Sequence, residues 1–437
     1  MKTIEPLETI DVTLDAPGSK SITQRALVAA ALAEGDSVLL NPLVSEDTDY
    51  SIAALRKMGV VIECEPEQWR ITGRGGRISA ACLPRQAAEI FLGNNGTATR
   101  FLTSVAALAE GGAIRIDGDQ RMRERPIGPL LAALRGWGVA IADDLGNSCP
   151  PLTITGQGID GGATILPEGK SSQYLSSLLL VAPYARRKAA IRVEGEVLSK
   201  PYVAMTIAVM AEFGVQSEFN HDFTEFAVEP GHYQGRVYEI EGDASSASYF
   251  WAAAAVTAGR VQVANVPAPS LQGDAMLVAL LARMGCEVNA AERLPGRQTG
   301  GFVLSGSKNL QGIDVDMAAM PDVAPTLAVV AAFAHGDTVI RNIGHLRIKE
   351  CDRLSAVVTE LRKLGVAADE FPDKMVIHGN GGHGLRGARI DTYHDHRMAM
   401  SFAVAGLKIP GVEIMDEGCV KKSFPDFWRR WALLAGR

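Results

Sequence analysis

Polar tips and apolar runs alternate along this 437-residue chain in a pattern that recurs six times. A tip rich in Ser, Thr, Asn or Asp opens an Ala-rich run of helical length at Lys20, Thr97, Ser172, Ser245, Asp322 and Asp395, with successive gaps of 77, 75, 73, 77 and 73 residues. After each run comes a short β-like stretch ending in Asn, Asp or Gly: SVLLN, AIRIDG, AIRVEG, RVQVAN, TVIRN and GVEIMD. A second helix follows in each copy. Five of the six close on an apolar residue, Gly and usually Val: Met58-Gly59-Val60, Trp137-Gly138-Val139, Phe213-Gly214-Val215, Met284-Gly285-Cys286 and Leu364-Gly365-Val366. Gly in that place is the usual left-handed helix stop, and the residue after it starts a strand. The sixth copy ends with the chain, near Gly436.

The predicted unit is therefore helix, strand, helix, strand over about 75 residues, too large for a solenoid repeat and too small for a domain. Several units must share a core, and two domains of three units each is the simplest division. A hinge is expected near Asp243, after the polar stretch 229–242, whereas a first strand at 10–14 could belong to either half.

Composition suits a compact chain, with 47% hydrophobic and 21% charged residues, and its length suggests two or three domains. No apolar run is long enough to span a bilayer, and MKTIEPLETID has no hydrophobic signal segment, so a cytoplasmic protein is expected. Cys64, Cys82, Cys149, Cys286, Cys351 and Cys419 are scattered without metal-ligand or redox spacing. The single His cluster, His394-Asp395-His396, lacks a supporting Cys or His, and no metal is expected.

The chemistry lies at the helix tips. A helix start exposes unpaired N–H groups and partial positive charge, so small polar residues and cations there make a site for phosphate or carboxylate. First-helix tips read PGSKSITQR with Lys20 and Arg25, GNNGTATR with Arg100, EGKSSQ with Lys170, PDVAPT with Asp322, and HDHR with Arg397. Second-helix tips carry Arg123 and Arg125, Lys200, Lys349 and Arg353, and Lys421 and Lys422. The chain as a whole is acidic, with 43 Lys and Arg against 50 Asp and Glu. That balance fits a small, multiply anionic substrate and argues against a nucleic acid, which needs an extended basic face. For any one tip, capping alone accounts for Ser, Thr or Asp; the set of cationic tips is what points to ligand binding. The fourth unit's tips, GDASSASYF and LQGDAM, and the acidic SEDTDY of the first unit are assigned to capping and interdomain packing.

The runs PGSKS, LGNNGTATR, RMRERPIG, SSQYL, SKPY, GDASSASYF, IKECDR, DHRMAM and KKSFPD, in this order, resemble the motif series of the 5-enolpyruvylshikimate-3-phosphate synthase family over essentially the whole chain. The resemblance implies an α/β, two-domain enolpyruvyl transferase fold, an inside-out α/β barrel with three βαβαββ units per domain. It implies a domain of residues 18–242 and another of 1–17 with 243–437, so that the N-terminal strand joins the C-terminal half. The implied reaction transfers the enolpyruvyl group of phosphoenolpyruvate to the 5-hydroxyl of shikimate 3-phosphate and releases phosphate, with no cofactor.

By the same resemblance, shikimate 3-phosphate is expected at Lys20, Ser21, Arg25, Ser171, Ser172, Gln173, Ser199, Tyr202, Asp322, His345 and Lys349. Phosphoenolpyruvate is expected at Lys20, Asn94, Gly96, Arg125, Gln173, Arg353, Arg397 and Lys422. The catalytic set is Asp322, which accepts the hydroxyl proton, Glu350 as proton donor with Lys422 as the competing candidate, and Lys20. Lys349 and Arg353 flank Glu350 and favour its charged form, in tension with a donor's need for a proton. With anion-binding residues in both halves, closure on shikimate 3-phosphate is expected. The expected form is a monomer, with no nucleic-acid or membrane partner.

Three residues depart from the commonest family pattern: Asn95, Thr99 and Phe101 stand where Ala, Met and Pro are frequent. They could shift the helix that presents Gly96, although Gly96 itself favours sensitivity to glyphosate, an inhibitor that mimics phosphoenolpyruvate. His345 stands where Asn also occurs. The sister family acting on UDP-N-acetylglucosamine is disfavoured, because its reactive loop Cys and its different opening motif have no convincing counterpart here. A non-catalytic sensor of phosphorylated metabolites would not need Asp322, Glu350 and Lys422 together.

Overall fold

Each Ala-rich run forms a helix, and in most copies the polar tip closes its first turn. In the computed structural model, Ser19 caps Lys20–Leu32, Asn95 caps Gly96–Ala106, Asp243 caps Ala244–Thr257 and Asp395 caps His396–Gly406, each side chain accepting from a backbone N–H one to three residues inside the helix. The structure describes residues 1–79, 87–109, 111–169, 171–291 and 300–436; Cys82 and Lys170 lie outside them. The second helices stop as the pattern predicts, with φ at Gly59, Gly138, Gly214, Gly285 and Gly365 between 82° and 109°, a region that strains residues with a Cβ.

The chain divides into two compact units, Gly18–Ile240 and Met1–Pro17 with Glu241–Arg437. In the first, the helices Lys20–Leu32, Gly96–Ala106 and Ser172–Val181 are buried nearly all round and pack on one another. In the second, Ala244–Thr257, Ala324–Ala331 and His396–Gly406 do the same. A helix apolar on every face must sit inside a core, and Ala lets three helix axes approach closely.

Small sheets surround these helices. Among the described residues of Gly18–Ile240, three four-stranded sheets repeat one plan: a parallel pair followed by an antiparallel hairpin. In the middle sheet, for example, Ala88–Phe91 runs parallel to Ala113–Asp117, which pairs with the hairpin Leu152–Thr155 and Ala140–Asp143. The repeat is thus βαβαββ in an α/β fold with its helices inside. The hydrophobic pattern alone yields only helix, strand, helix, strand, because the additional strands are short and half exposed.

The parallel edge strand is not always local. Val237–Glu239, at the end of its unit, runs parallel to Asp36–Leu40 near the beginning. Asp11–Leu14, left open by the sequence, runs parallel to Arg260–Val263 with Asp11 opposite Arg260. Among the described residues the last copy shows no hairpin of its own, and Lys2–Thr3 pairs with Glu413–Ile414 in its place.

Candidate functional site

Within Gly18–Ile240 the tips of neighbouring repeats interlock. Lys20, in the first turn of its helix, lies with Nζ 3.2 Å from Asp47 Oδ2. Asp47 belongs to the acidic SEDTDY tip, whose Ser45 and Thr48 form a capping box. Asn95 ties the next tip to this one: its Oδ1 accepts from Ala98 N at 2.9 Å and its Nδ2 donates to the Asp47 carbonyl at 2.6 Å. The three departures from the family pattern are therefore built into the tip. Thr99 Oγ1 donates to the Asn95 carbonyl at 2.9 Å, and Phe101 lies 5.2 Å from the Arg25 guanidinium carbon.

Arg125 is buried with its guanidinium against Gly96, and Nη1 donates to Asn94 Oδ1 at 3.0 Å. Gln173 Nε2 donates to Thr97 Oγ1 at 3.2 Å, joining the second and third tips, beside Ser171 and the buried Ser172. Ser199 precedes Lys200–Glu212 in left-handed backbone, φ 55°. These residues form a rim of hydroxyls, amides, backbone N–H groups and two cations.

Arg25 faces inward. Nε donates to Thr206 Oγ1 at 2.7 Å, Nη1 to the Ser21 carbonyl at 2.8 Å, and Nη2 to the Tyr202 carbonyl at 3.1 Å and Ser176 Oγ at 3.3 Å. Burial pushes its pKa down to about 10. Two other cationic tips have structural partners. Arg100 Nη2 donates to the Pro126 carbonyl at 2.7 Å, and Arg123 lies 2.6 Å from Asp117. Ser176 and Thr206 were missed in the sequence, where they look like interruptions of apolar helical runs.

The Glu241–Arg437 unit holds the denser cluster. Arg353 is 1% exposed and is gripped by three carboxylates: Nε to Asp395 at 2.8 Å, Nη2 to Glu350 at 2.8 Å and Nη1 to Asp322 at 3.2 Å. Burial alone would weaken its hold on the proton, but Asp395, Glu350 and Asp322 more than reverse that. Asp322, on the turn Pro321–Val323, also accepts from Arg397 Nη2 at 2.7 Å. Asp395 has a second task, accepting from Arg397 N at 2.9 Å as the cap of that helix. Lys422 is buried at the end of Glu417–Lys422, which packs on the same helix, whereas Lys421 is exposed.

His345 stands in Gly344–Ile348, next to Lys349, with neither ring nitrogen hydrogen-bonded. Burial, with help from Lys349, lowers its pKa to about 4, so the ring is neutral at ordinary pH. The fourth unit's tips do more than cap. Asp243 does accept from Ser246 N at 2.7 Å, but Ser245 Oγ donates to Asp274 Oδ2, and Arg397 Nη2 lies 3.5 Å from Ser245 Oγ.

The arrangement offers preorganised cations and hydroxyls for anions, and carboxylates close enough to move protons. The buried and half-buried thiols among the described residues are poor nucleophiles. Burial raises the pKa of Cys286 to about 11 and of Cys419 to about 12, and pushes Cys351 upward as well. Among the described residues no group of three His, Cys, Asp or Glu is set to hold a metal, and no helix is long and apolar enough to cross a membrane. In the one suspected cluster, His394 is exposed and paired with Asp416 while His396 is buried.

Residues 4–431 match the family described as EPSP synthase (3-phosphoshikimate 1-carboxyvinyltransferase). The 3-phosphoshikimate 1-carboxyvinyltransferase of Nostoc punctiforme is 44% identical over 97% of this chain and 96% of its own length. That of Trichormus variabilis is 46% identical over 98% and 97%. The chloroplastic 3-phosphoshikimate 1-carboxyvinyltransferase of Arabidopsis thaliana is 42% identical over 98% of this chain and 83% of its own. Among solved structures, the EPSP synthase of Acinetobacter baumannii superposes with a TM-score of 0.81 at 28% identity, covering 99% of this chain and 97% of that one.

Proposed function

Because the chain belongs to the EPSP synthase family, we propose that it transfers the enolpyruvyl group of phosphoenolpyruvate to the 5-hydroxyl of shikimate 3-phosphate, releasing phosphate in the shikimate pathway to chorismate and the aromatic amino acids. The observation that carries this reading to individual residues is the grip of Arg353 and Arg397 on Asp322 and of Arg353 on Glu350. Two guanidiniums already aimed at carboxylate oxygens suit a substrate carboxylate, which would take over one or both contacts.

In the Glu241–Arg437 unit, Arg353 and Arg397 are assigned the phosphoenolpyruvate carboxylate and Lys422 its phosphate, with His345, Lys349 and Asp322 on shikimate 3-phosphate. In Gly18–Ile240, Lys20, Asn94, Gly96 and Arg125 are assigned to phosphoenolpyruvate, Gln173 to both substrates, and Ser21, Arg25, Ser171, Ser172, Ser199 and Tyr202 to shikimate 3-phosphate alongside Lys20. Hydroxyls at helix starts share phosphate oxygens with the backbone N–H groups there.

In the reaction, the methylene carbon of phosphoenolpyruvate gains a proton, the 5-hydroxyl oxygen bonds to the neighbouring carbon and its proton goes to a base. The bond to phosphate then breaks as a methyl proton leaves, which restores the double bond. Asp322 is the assigned base and Glu350 the assigned acid. A carboxylate that draws Arg353 towards itself weakens the bias of that guanidinium for charged Glu350, which resolves the tension between a donor and its cationic neighbours. Lys20, Arg125 and Lys422 stabilise the charge on the departing phosphate.

The reading extends to glyphosate as an inhibitor competitive with phosphoenolpyruvate, and to a monomeric, cytoplasmic enzyme. Mixing both substrates with the protein should release inorganic phosphate, while neither substrate alone should. Release no faster than the protein-free rate would overturn the proposal.

A further inference from the structure

Asp274 is a buried carboxylate that the mechanism above does not use. It sits on the short turn Gly273–Met276, 2% exposed, against the start of Ala244–Thr257. Ser245 Oγ donates to Asp274 Oδ2, Arg397 Nη2 reaches Ser245 Oγ at 3.5 Å, and the same Nη2 donates to Asp322 Oδ2 at 2.7 Å. A chain of polar contacts thus runs from Asp274 through Ser245 to the guanidinium assigned to the substrate carboxylate.

We propose that Asp274 is a positioning residue for this anion site, one that favours phosphoenolpyruvate when it carries a proton and opposes it when ionised. The inference rests on the proposed function and adds a control that the function does not require. The charged groups facing Asp274 are Asp322 from the turn Pro321–Val323, Asp243 from the cap of Ala244–Thr257 and Arg397 from His396–Gly406. Burial, then the negative charge of Asp322, push its pKa up to about 7, against the opposing pull of Arg397 and the Ser245 hydroxyl. An anion that engages Arg397 cancels part of that pull, so binding and protonation reinforce each other.

The hydrogen-bond geometry gives the route. Ionised Asp274 accepts from Ser245, which leaves the Ser245 oxygen lone pairs facing Arg397 Nη2. A protonated carboxyl instead donates to Ser245 Oγ and competes with Arg397 for that oxygen, which releases Nη2 towards a substrate carboxylate. Protonation also removes one negative charge from a site already holding Asp322.

The test is the pH dependence of kcat/KM for phosphoenolpyruvate at saturating shikimate 3-phosphate, read from phosphate release by wild type, Asp274→Asn and Ser245→Ala. In wild type kcat/KM should fall as pH rises through about 7, by up to about tenfold per pH unit. Asp274→Asn keeps an acceptor for Ser245 but cannot titrate, so this falling limb should vanish and the variant should exceed wild type at alkaline pH. Ser245→Ala removes both the bridge to Arg397 and a donor that favours the charged form, so its limb should become shallower and move to higher pH; this variant decides the matter if Asp274→Asn does not fold. An active wild type with no such limb, or limbs unchanged in the folded variants, would overturn the role of Asp274 and leave the proposed function standing. A wild type that releases no phosphate would remove both.

Discussion

Arg397 Nη2 donates to Asp322 Oδ2 at 2.7 Å, so the assigned base and an assigned carboxylate binder are already in contact. The Asp322 carboxylate also holds Arg353 and thereby helps to set the spacing of two guanidiniums. Asp322→Ala should cut kcat by more than about tenfold, since both proton acceptance and cation placement are lost. Circular dichroism should show the fold intact, because Asp322 is only partly buried and Arg353 keeps Asp395 and Glu350 as partners. Near-normal phosphate release by the folded variant would remove Asp322 from the role of base.

Glu350 and Lys422 compete for the role of proton donor, and their surroundings separate them. Glu350 Oε2 lies 2.8 Å from Arg353 Nη2, within reach of any carboxylate that Arg353 binds. Glu350→Gln preserves size and should lower kcat by more than about tenfold with a smaller change in KM. Lys422→Met should instead raise KM for phosphoenolpyruvate. The reverse pattern in steady-state kinetics would make Lys422 the donor.

These two residues also show how far the sequence could be read. Their tips were legible because cations and small polar or acidic residues stand within a few positions of a helical run, in IKECDR and KKSFPDF. Asp47 and Asp274 were not. A carboxylate at a helix start looks like a cap whatever it touches, and their functional neighbours, Lys20 at 27 positions and Ser245 at 29, become visible only when repeats pack. Ser176 and Thr206 escaped for a similar reason: their hydroxyls meet each other across 30 positions and meet the buried Arg25 guanidinium only when the helices pack. The two-residue strands Lys2–Thr3, Glu218–Phe219 and Arg389–Ile390 are too short to carry any periodicity.

A side chain at Gly96 would meet the Arg125 guanidinium. A Cβ built there would lie 2.8 Å from Arg125 Cζ and closer still to one of its nitrogens, so the guanidinium would have to move. Moving it breaks its bond to Asn94 Oδ1 and displaces a cation assigned to phosphoenolpyruvate, which predicts a rise in KM for that substrate of about tenfold, on the order of 1.4 kcal/mol, for Gly96→Ala. Glyphosate inhibition, measured against varied phosphoenolpyruvate, should weaken at least as much. An unchanged KM would place the substrate away from Arg125.

Arg25 is assigned to substrate, yet its bonds join three helices of its unit. Removing the guanidinium would take one charged donor each from the part-buried Ser21 and Tyr202 carbonyls and from the Thr206 and Ser176 hydroxyls, which still bond to each other. A hydrogen bond to a charged group contributes about 1.5–3 kcal/mol net, so losing these four should cost Arg25→Ala about 3 kcal/mol or more. Urea denaturation without any substrate checks this; an unchanged midpoint would confine Arg25 to ligand binding.

His345 gives the chain a specific acid sensitivity. Its pKa falls from the ordinary 6.5 to about 4 in the fold, because burial and then Lys349 penalise the imidazolium. The unfolded chain therefore binds a proton at pH values where the folded one does not, and this part of the stability is lost as pH drops from about 6.5 towards 4. Replacement by Asn removes the titration while keeping a polar amide. Wild type and His345→Asn should then converge in urea midpoint, or the variant gain relative to wild type, as pH is lowered through that window. A constant difference between them would mean that the folded-state ring takes up its proton as readily as the free side chain, against the burial seen at this position.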